Sequence, residues 1–255
     1  MVLSHNKWRL ETRHFLMQKE GAAFSECEDA IGINPEALRY AVADGATEAF
    51  DSGTWARRLA DSWVQDASAT PSLERFRLWV AEQSHWLHDS WKGRTLPWYA
   101  EEKARSGSHA AFVGLQLHVF DDNLYWHAVA LGDSCLIHLR GDTLCCAMPI
   151  SDYQDFNSYP LLVPSDEAQQ QTALSHAVFK SGAVEYGDVL LLLTDASAAW
   201  YLQLCEERSR LKTEFDSLLA TSQNDALEVL VKDERRANKI KDDDFAVLRI
   251  AVEDA

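Results

Sequence analysis

The chain has 255 residues, 47% of them hydrophobic, and a formal net charge of −16 from 24 basic and 40 acidic residues. This length and apolar content predict one globular domain with a sizeable core and exclude an intrinsically disordered chain. The negative charge argues against nucleic acid and anionic membrane surfaces as partners, and it favours metal cations or basic proteins.

The chain carries no recognisable targeting or membrane-spanning segment. Its N-terminal stretch lacks an apolar run long enough for a signal sequence, and no window approaches the roughly 20 uncharged apolar residues of a membrane span. The five cysteines form an odd set without C-x-x-C spacing, which indicates reduced packing residues. We therefore expect a cytoplasmic protein with no membrane partner.

In the first third of the chain, hydrophobic periodicity predicts two strands followed by two helices. The strands cover 8–17 and 38–43, and the helices cover about 51–64 and 72–91. Tryptophans recur at helical spacing in both helices, which is typical of a core face rather than of a ligand site.

Between 110 and 148, short apolar runs joined by tight turns predict a meander of strands. Residues 149–187 are polar and contain three prolines, which predicts a long surface insertion over a site. The remaining predicted elements are a strand over 189–194, helical stretches near 196–220 and 223–239, and a last strand over 245–252.

Acidic residues collect beside the apolar runs, at Glu28, Asp29, Asp44, Asp195 and Asp242 to Asp244. Carboxylates directed at one point repel each other unless a cation lies among them. Oxygen ligands suit Mg²⁺ or Mn²⁺, and two such ions can bind a phosphoryl group and the water that attacks it. Taken singly, each aspartate could instead cap a helix or form a solvated turn.

Five motifs, in this order, resemble those of the type 2C metal-dependent protein serine/threonine phosphatases. They are Glu28-Asp29, Asp44-Gly45, Gly132-Asp133-Ser134, Thr194-Asp195-Ala196 and Asp243-Asp244. Each is weak evidence alone, but their order and strand context together are specific. The resemblance implies an α+β fold: a four-layer α-β-β-α sandwich of two mainly antiparallel sheets flanked by helices, formed by a single domain over 1–255.

The resemblance also implies two Mn²⁺ or Mg²⁺ ions at one end of the sandwich, between the sheets. Asp44 would bridge the two ions, and the Gly45 carbonyl would ligate one of them. Asp195 and Asp243 would hold the other ion. Catalysis would then proceed through a metal-bound water that attacks the phosphate ester.

Four further acids have secondary roles in this comparison. Glu28 and Asp29 would act mostly through metal-bound waters, and Asp133 is a candidate for helping to hold a third ion. Asp244 is the alternative to Asp243 as the last ligand, and we prefer Asp243 for its spacing to Ala246.

By this resemblance the reaction is the hydrolysis of phosphoserine or phosphothreonine in proteins. The Asp-Gly-Ala-Thr-Glu form of the second motif and the compact chain are more similar to bacterial members of the family, which commonly oppose a serine/threonine kinase. The expected partner is a phosphoprotein, either such a kinase or its target.

Several positions depart from the family pattern, and two of them bear most on activity. Phe24 stands where many members have an arginine that contacts the substrate phosphate, with Arg13 or Arg9 as candidate replacements, and Ala196 stands where a glycine is usual. These departures motivate a second hypothesis, a catalytically weak or inactive relative that acts as a regulatory binding partner of a kinase or phosphoprotein. A third is an acidic α/β protein whose motif matches arise by chance.

Overall fold

The computed structural model describes residues 2–5, 8–93, 103–156 and 159–254. One sheet contains β1 (Val2–His5), β2 (Trp8–Met17), β7 (Cys135–Arg140), β8 (Thr143–Met148), β11 (Asp188–Leu193) and β12 (Phe245–Asp254). The other contains β3 (Asp29–Asn34), β4 (Arg39–Gly45), β5 (His109–Phe120), β6 (Asn123–Leu131), β9 (Val163–Pro164) and β10 (Val178–Val184). The strand orders are β1-β2-β12-β11-β7-β8 and β10-β6-β5-β4-β3, with β9 paired to β5, and the pairings are antiparallel.

Helices cover the outer face of each sheet. They are α1 (Ser52–Gln65), α2 (Leu73–Trp91), α3 (Glu167–Ala173), α4 (Asp195–Glu206), α5 (Arg210–Ala220) and α6 (Asn224–Arg236). The apolar faces of α1 and α2 share a core with the second sheet, and α4 to α6 share a core with the first sheet. The predicted four-layer α-β-β-α sandwich is confirmed.

The run of apolar residues in β11 is explained by the strand's place in the interior of the first sheet, between β12 and β7. Leu190 and Leu192 face the core between the two sheets, whereas Leu191 and Leu193 face the helices. Because both faces of the strand are covered, neither face can carry the polar residues of an exposed surface, and the strand is a continuous apolar segment.

The predicted strand over 8–17 and the helices over 51–64 and 72–91 are confirmed as β2, α1 and α2. The tryptophans are core residues as expected: Trp63 and Trp79 are fully buried and pack edge to face with ring centroids 5.5 Å apart. Trp86 differs, being 44% exposed beneath the guanidinium of Arg58.

The region from 110 to 148 is not one meander, as its turns suggested. The strands β5 and β6 belong to one sheet and β7 and β8 to the other, so the chain crosses between the sheets at Gly132-Asp133-Ser134. A tight turn and a crossover have the same local composition, so spacing alone did not separate them.

The predicted surface insertion over 149–187 needs a correction at its end, where β10 forms the edge of the second sheet. The strand lies at the edge and its side chains are mostly exposed or half-buried on both faces, so it shows neither the alternation of a strand with one buried face nor the continuous apolar run of an interior strand. Residues 157 and 158 of the predicted insertion lie outside the described residues.

A helix that could span a membrane is not found in the part of the chain that the structure describes.

Candidate metal centre

The predicted acidic residues of the two sheets meet at one end of the sandwich. Asp29 and Asp44 are direct partners in the β3–β4 ladder, so their side chains lie side by side on one face of the second sheet. Asp195 is the first residue of α4, two residues after the end of β11, and Asp243 lies just before β12. Asp133 lies in the crossover between β6 and β7, at the same end.

A hydrogen-bond chain through Thr194 joins the two sheets at this end. The Thr194 hydroxyl donates to Asp29 Oδ2 over 2.8 Å, and its oxygen accepts from the Ala246 backbone N–H over 3.0 Å. The second oxygen of Asp29, Oδ1, is buried and has no hydrogen-bond partner. A buried carboxylate oxygen without a donor is costly, which makes it a candidate for cation binding.

Burial and the neighbouring negative charges raise the pKa values of carboxylates in the cluster. Burial raises the pKa of Asp29 well above its ordinary value, and the charges of Asp244, Asp195 and Asp243 raise it further, against the lowering effect of the Thr194 hydrogen bond. Burial, together with the charges of Asp29, Asp195, Asp133 and Asp243, likewise raises the pKa of Asp44. These carboxylates are therefore within electrostatic reach of one another and lack enough positive charge to balance them.

Asp133 takes part in the same cluster. Burial, together with the charge of Asp195, raises its pKa to about 7. The glycine before it is structurally required, because Gly132 has a φ of +100° and an added Cβ would lie 2.6 Å from the Ala111 Cβ.

Asp244 has a structural role in the described conformation. Its Oδ1 accepts from the Lys19 N–H over 2.8 Å and its Oδ2 accepts from the Glu28 N–H over 2.7 Å. Both oxygens are thus engaged with backbone N–H groups, one of them in the first motif. Both oxygens of Asp243 are engaged too, since Oδ1 accepts from the Asp244 N–H and Oδ2 pairs with a lysine described below.

Glu28 and Gly45 connect the first motif to α1. The Ser52 hydroxyl donates to Glu28 Oε1, and the Gly45 N–H donates to the Glu28 carbonyl over 3.2 Å. A Cβ on Gly45 would lie 2.7 Å from the Ser52 backbone, so only glycine allows the start of α1 to approach this closely.

Two lysines that the sequence analysis did not single out make ion pairs with the cluster. Lys241 Nζ lies 3.1 Å from Asp195 Oδ2 and 2.7 Å from Asp243 Oδ2. Lys19 Nζ lies 3.7 Å from Glu28 Oε2 and 3.5 Å from Thr47 Oγ1. No motif marks either lysine, although both lie within ten residues of a predicted acid.

The two arginines considered for substrate phosphate point elsewhere. Arg13 donates to Glu11 Oε1 over 2.5 Å and to the Ala220 carbonyl over 3.3 Å. Arg9 pairs with Glu253, opposite it in the β2–β12 ladder and eight residues along β12 from Phe245 at the cluster end. Neither position on β2 is suited to contact a phosphate at the cluster, because the strand reaches that end only at Met17.

Phe24 and Ala196, two of the departures from the family pattern, have simple local environments. Phe24 opens a short 3₁₀ turn and is 61% exposed. Ala196 lies in the first turn of α4 with ordinary helical backbone, so a glycine is not needed there.

The residues present fit a divalent metal centre in donor chemistry. The donors are carboxylate oxygens and a carbonyl, the class that Mg²⁺ and Mn²⁺ prefer, and Asp29 Oδ1 is a buried oxygen without a donor. Over the described ranges, no group of three or more His, Cys, Asp or Glu side chains is already arranged to hold a metal ion. Lys241 occupies the gap between Asp195 and Asp243.

Comparison with known proteins defines the class of fold. No family model and no curated protein matches the sequence. Solved structures match over nearly the whole chain, and several of them are named as phosphatases. The chain therefore has the fold of these phosphatases.

Three of these structures illustrate the likeness. PppA, a key regulatory component of T6SS in Pseudomonas aeruginosa, is 17% identical with a TM-score of 0.60, covering 99% of this chain and 100% of that one. The serine/threonine phosphatase Stp1 from Staphylococcus aureus is 15% identical with a TM-score of 0.59, covering 96% and 95%. The catalytic domain of the phosphatase PstP, in complex with two manganese ions, is 14% identical with a TM-score of 0.56, covering 96% and 100%.

Proposed function

We propose that this chain is a metal-dependent phosphatase that hydrolyses phosphoserine or phosphothreonine in proteins, within a single domain. The observation that carries the proposal is the meeting of Asp29, Asp44, Asp133, Asp195 and Asp243 at one end of the sandwich, with raised pKa values for the first three. Such a cluster, in which Lys241 pairs only with Asp195 and Asp243, is stabilised by bound cations.

Asp44, the Gly45 carbonyl, Asp195 and Asp243 would hold two Mn²⁺ or Mg²⁺ ions, with Asp29 and Glu28 beside them. When bound, such ions neutralise phosphate charge and make hydroxide available from water near neutral pH. The protein's part is to fix the donors: the Thr194 hydroxyl orients Asp29, and Asp244 anchors the backbone of Lys19 and Glu28. Asp133 is a candidate for holding a third ion.

The substrate we propose is a phosphorylated protein of the cytoplasm, either a serine/threonine kinase or a target of that kinase. In support, the structural neighbours Stp1 and PstP are named as serine/threonine phosphatases. The net charge of −16 adds that a basic protein surface would be attracted to the site end, whereas nucleic acid and anionic membranes would be repelled.

The proposal predicts that turnover of an aryl phosphate requires both Mn²⁺ and Asp44. We expect Asp44→Asn to lose at least about 100-fold in kcat, because Asp44 would lose the charge with which it would hold the ions. Asp142→Asn, at an exposed turn, is the matched control and should keep full activity. Steady-state assays with Mn²⁺ and with chelator test this, and Asp44→Asn turnover equal to the wild type would refute the proposal.

A second function, a binding partner without turnover, is favoured by Lys241 at Asp195 and Asp243 and by Phe24 in place of an arginine. In that case a phosphopeptide should bind to the wild-type protein, with no phosphate released at any Mn²⁺ concentration. Phosphate release measured beside peptide binding separates the two functions.

A further inference from the structure

The ammonium group of Lys241 lies where two of the proposed metal ligands face each other. Its Nζ is 3.1 Å from Asp195 Oδ2 and 2.7 Å from Asp243 Oδ2, so one positive charge bridges a carboxylate of α4 and a carboxylate of the loop before β12. Each of these oxygens would have to turn to a metal ion for that ion to be held.

The loop that carries Lys241 is held in place at its far side. The Arg235 guanidinium donates to the Asp243 carbonyl and, over 3.0 Å, to the Gln18 carbonyl. Asp244 accepts from the backbone of Lys19 and Glu28. The backbone at 241–244 is therefore fixed against β2 and the first motif, and Lys241 is directed at the gap by the fold.

The Lys241 side chain is nevertheless able to leave. It is 64% exposed, and a cavity of about 240 Å³, lined by Asp133, Tyr153, Asp195 and Lys239 among others, lies beside it. Ion pairs of a side chain this exposed are individually weak, so their breakage costs little.

From this geometry we infer that Lys241 is a built-in cation that competes with the divalent metal ion for Asp195 and Asp243. The inference rests on the proposed function, since it concerns the same metal centre. Lys241 supports the two carboxylates in the metal-free protein, and it must be displaced before the second ion binds. An ion held by Asp195 and Asp243 therefore binds more weakly than it would if Lys241 carried no charge.

The test is a calorimetric titration of Mn²⁺ into the full-length protein without substrate. Lys241→Met removes the charge and keeps the length, Lys241→Arg keeps the charge, and Lys239→Met removes an exposed lysine that lines the same cavity. We expect Lys241→Met to bind one Mn²⁺ roughly tenfold more tightly, the factor expected if two weak ion pairs need no longer break. Lys241→Arg and Lys239→Met should bind as the wild type does.

The outcomes separate this inference from the proposed function. If the wild type and Lys241→Met each bind two Mn²⁺ ions with the same affinities, the competition is overturned and the proposed metal centre is supported. No binding by any variant would overturn both. Binding that appears only in Lys241→Met would support the competition, and a thermal unfolding scan without metal would show whether that variant is folded.

Discussion

At the scale of single residues, the carboxylates of the site are held by a few specific contacts. Thr194 orients Asp29 through one carboxylate oxygen, and the other oxygen has no hydrogen-bond partner. In contrast, both oxygens of Asp244 accept hydrogen bonds from backbone N–H groups. The neighbouring residues Asp243 and Asp244 of the last motif thus have different roles, because different groups face their side chains. Ala196 costs nothing in this setting, because its backbone is helical.

Lys19 is the residue we expect to contact substrate phosphate, because its Nζ lies against Glu28 and Thr47 at the rim of the cluster. Removing one charge-assisted contact to a phosphate costs about 1.5–3 kcal/mol. We therefore predict that Lys19→Ala lowers kcat/KM for a phosphopeptide by about 10- to 100-fold, chiefly through KM. Lys232→Ala, which removes an exposed lysine on α6, is the control, and equal kcat/KM values in the two variants would rule this role out.

At the scale of elements, the site depends on the crossover between β6 and β7. Gly132 leads the chain from one sheet to the other with a positive φ and in close contact with Ala111 on β5. The crossover brings Asp133 to the end where Asp44 and Asp195 lie, so a local backbone conformation decides the composition of the cluster.

We predict that Gly132→Ala destabilises the protein by on the order of 2–4 kcal/mol, since it adds both a strained φ and an overlap with Ala111. Gly141→Ala is a matched control: this turn glycine also has a positive φ, +56°, but has no atom within 4 Å of an added Cβ. It should cost only about 1 kcal/mol. Chemical denaturation of both variants measures the difference, and equal losses would show that the contact with Ala111 is unimportant.

At the scale of the whole molecule, charge and stability are linked through the cluster. The chain carries a net charge of −16, and its buried acids at the site end add local repulsion that the fold must sustain without metal. The folded state holds protons on these acids that the unfolded chain would release, because the pKa values of Asp29, Asp44 and Asp133 are raised.

We therefore predict that the metal-free protein loses stability as the pH rises from about 4 to about 7. An unfolded aspartate has a pKa of about 3.9, and the folded Asp133 has a pKa of about 7, so across this window the folded state binds more protons. The loss should be on the order of 1–4 kcal/mol. Unfolding at pH 5 and pH 8 in chelator measures it, and Asp133→Asn should flatten the dependence; an unchanged slope in that variant would contradict the assignment.

Much of the fold was predictable because its elements follow local patterns. The apolar run of β11, the helical spacing of tryptophans in α1 and α2, and the acids at strand ends are all visible in the sequence, and the structure places them as expected. The edge strand β10 was missed because neither of its faces is consistently buried, so it shows neither an alternating nor a continuous apolar pattern. The sheet change at Gly132 was missed because its composition is that of a hairpin turn.

The sequence by itself determined the order of the elements and which acids stand at strand ends, because both depend on neighbours a few residues apart. Only the tertiary structure decided that Asp244 would serve backbone groups 216 and 225 residues away, that Arg13 and Arg9 would face away from the site, and that Lys241 would lie between Asp195 and Asp243. Such contacts arise where strands and loops distant in sequence pack together, and no local pattern of residues specifies which charges will then meet.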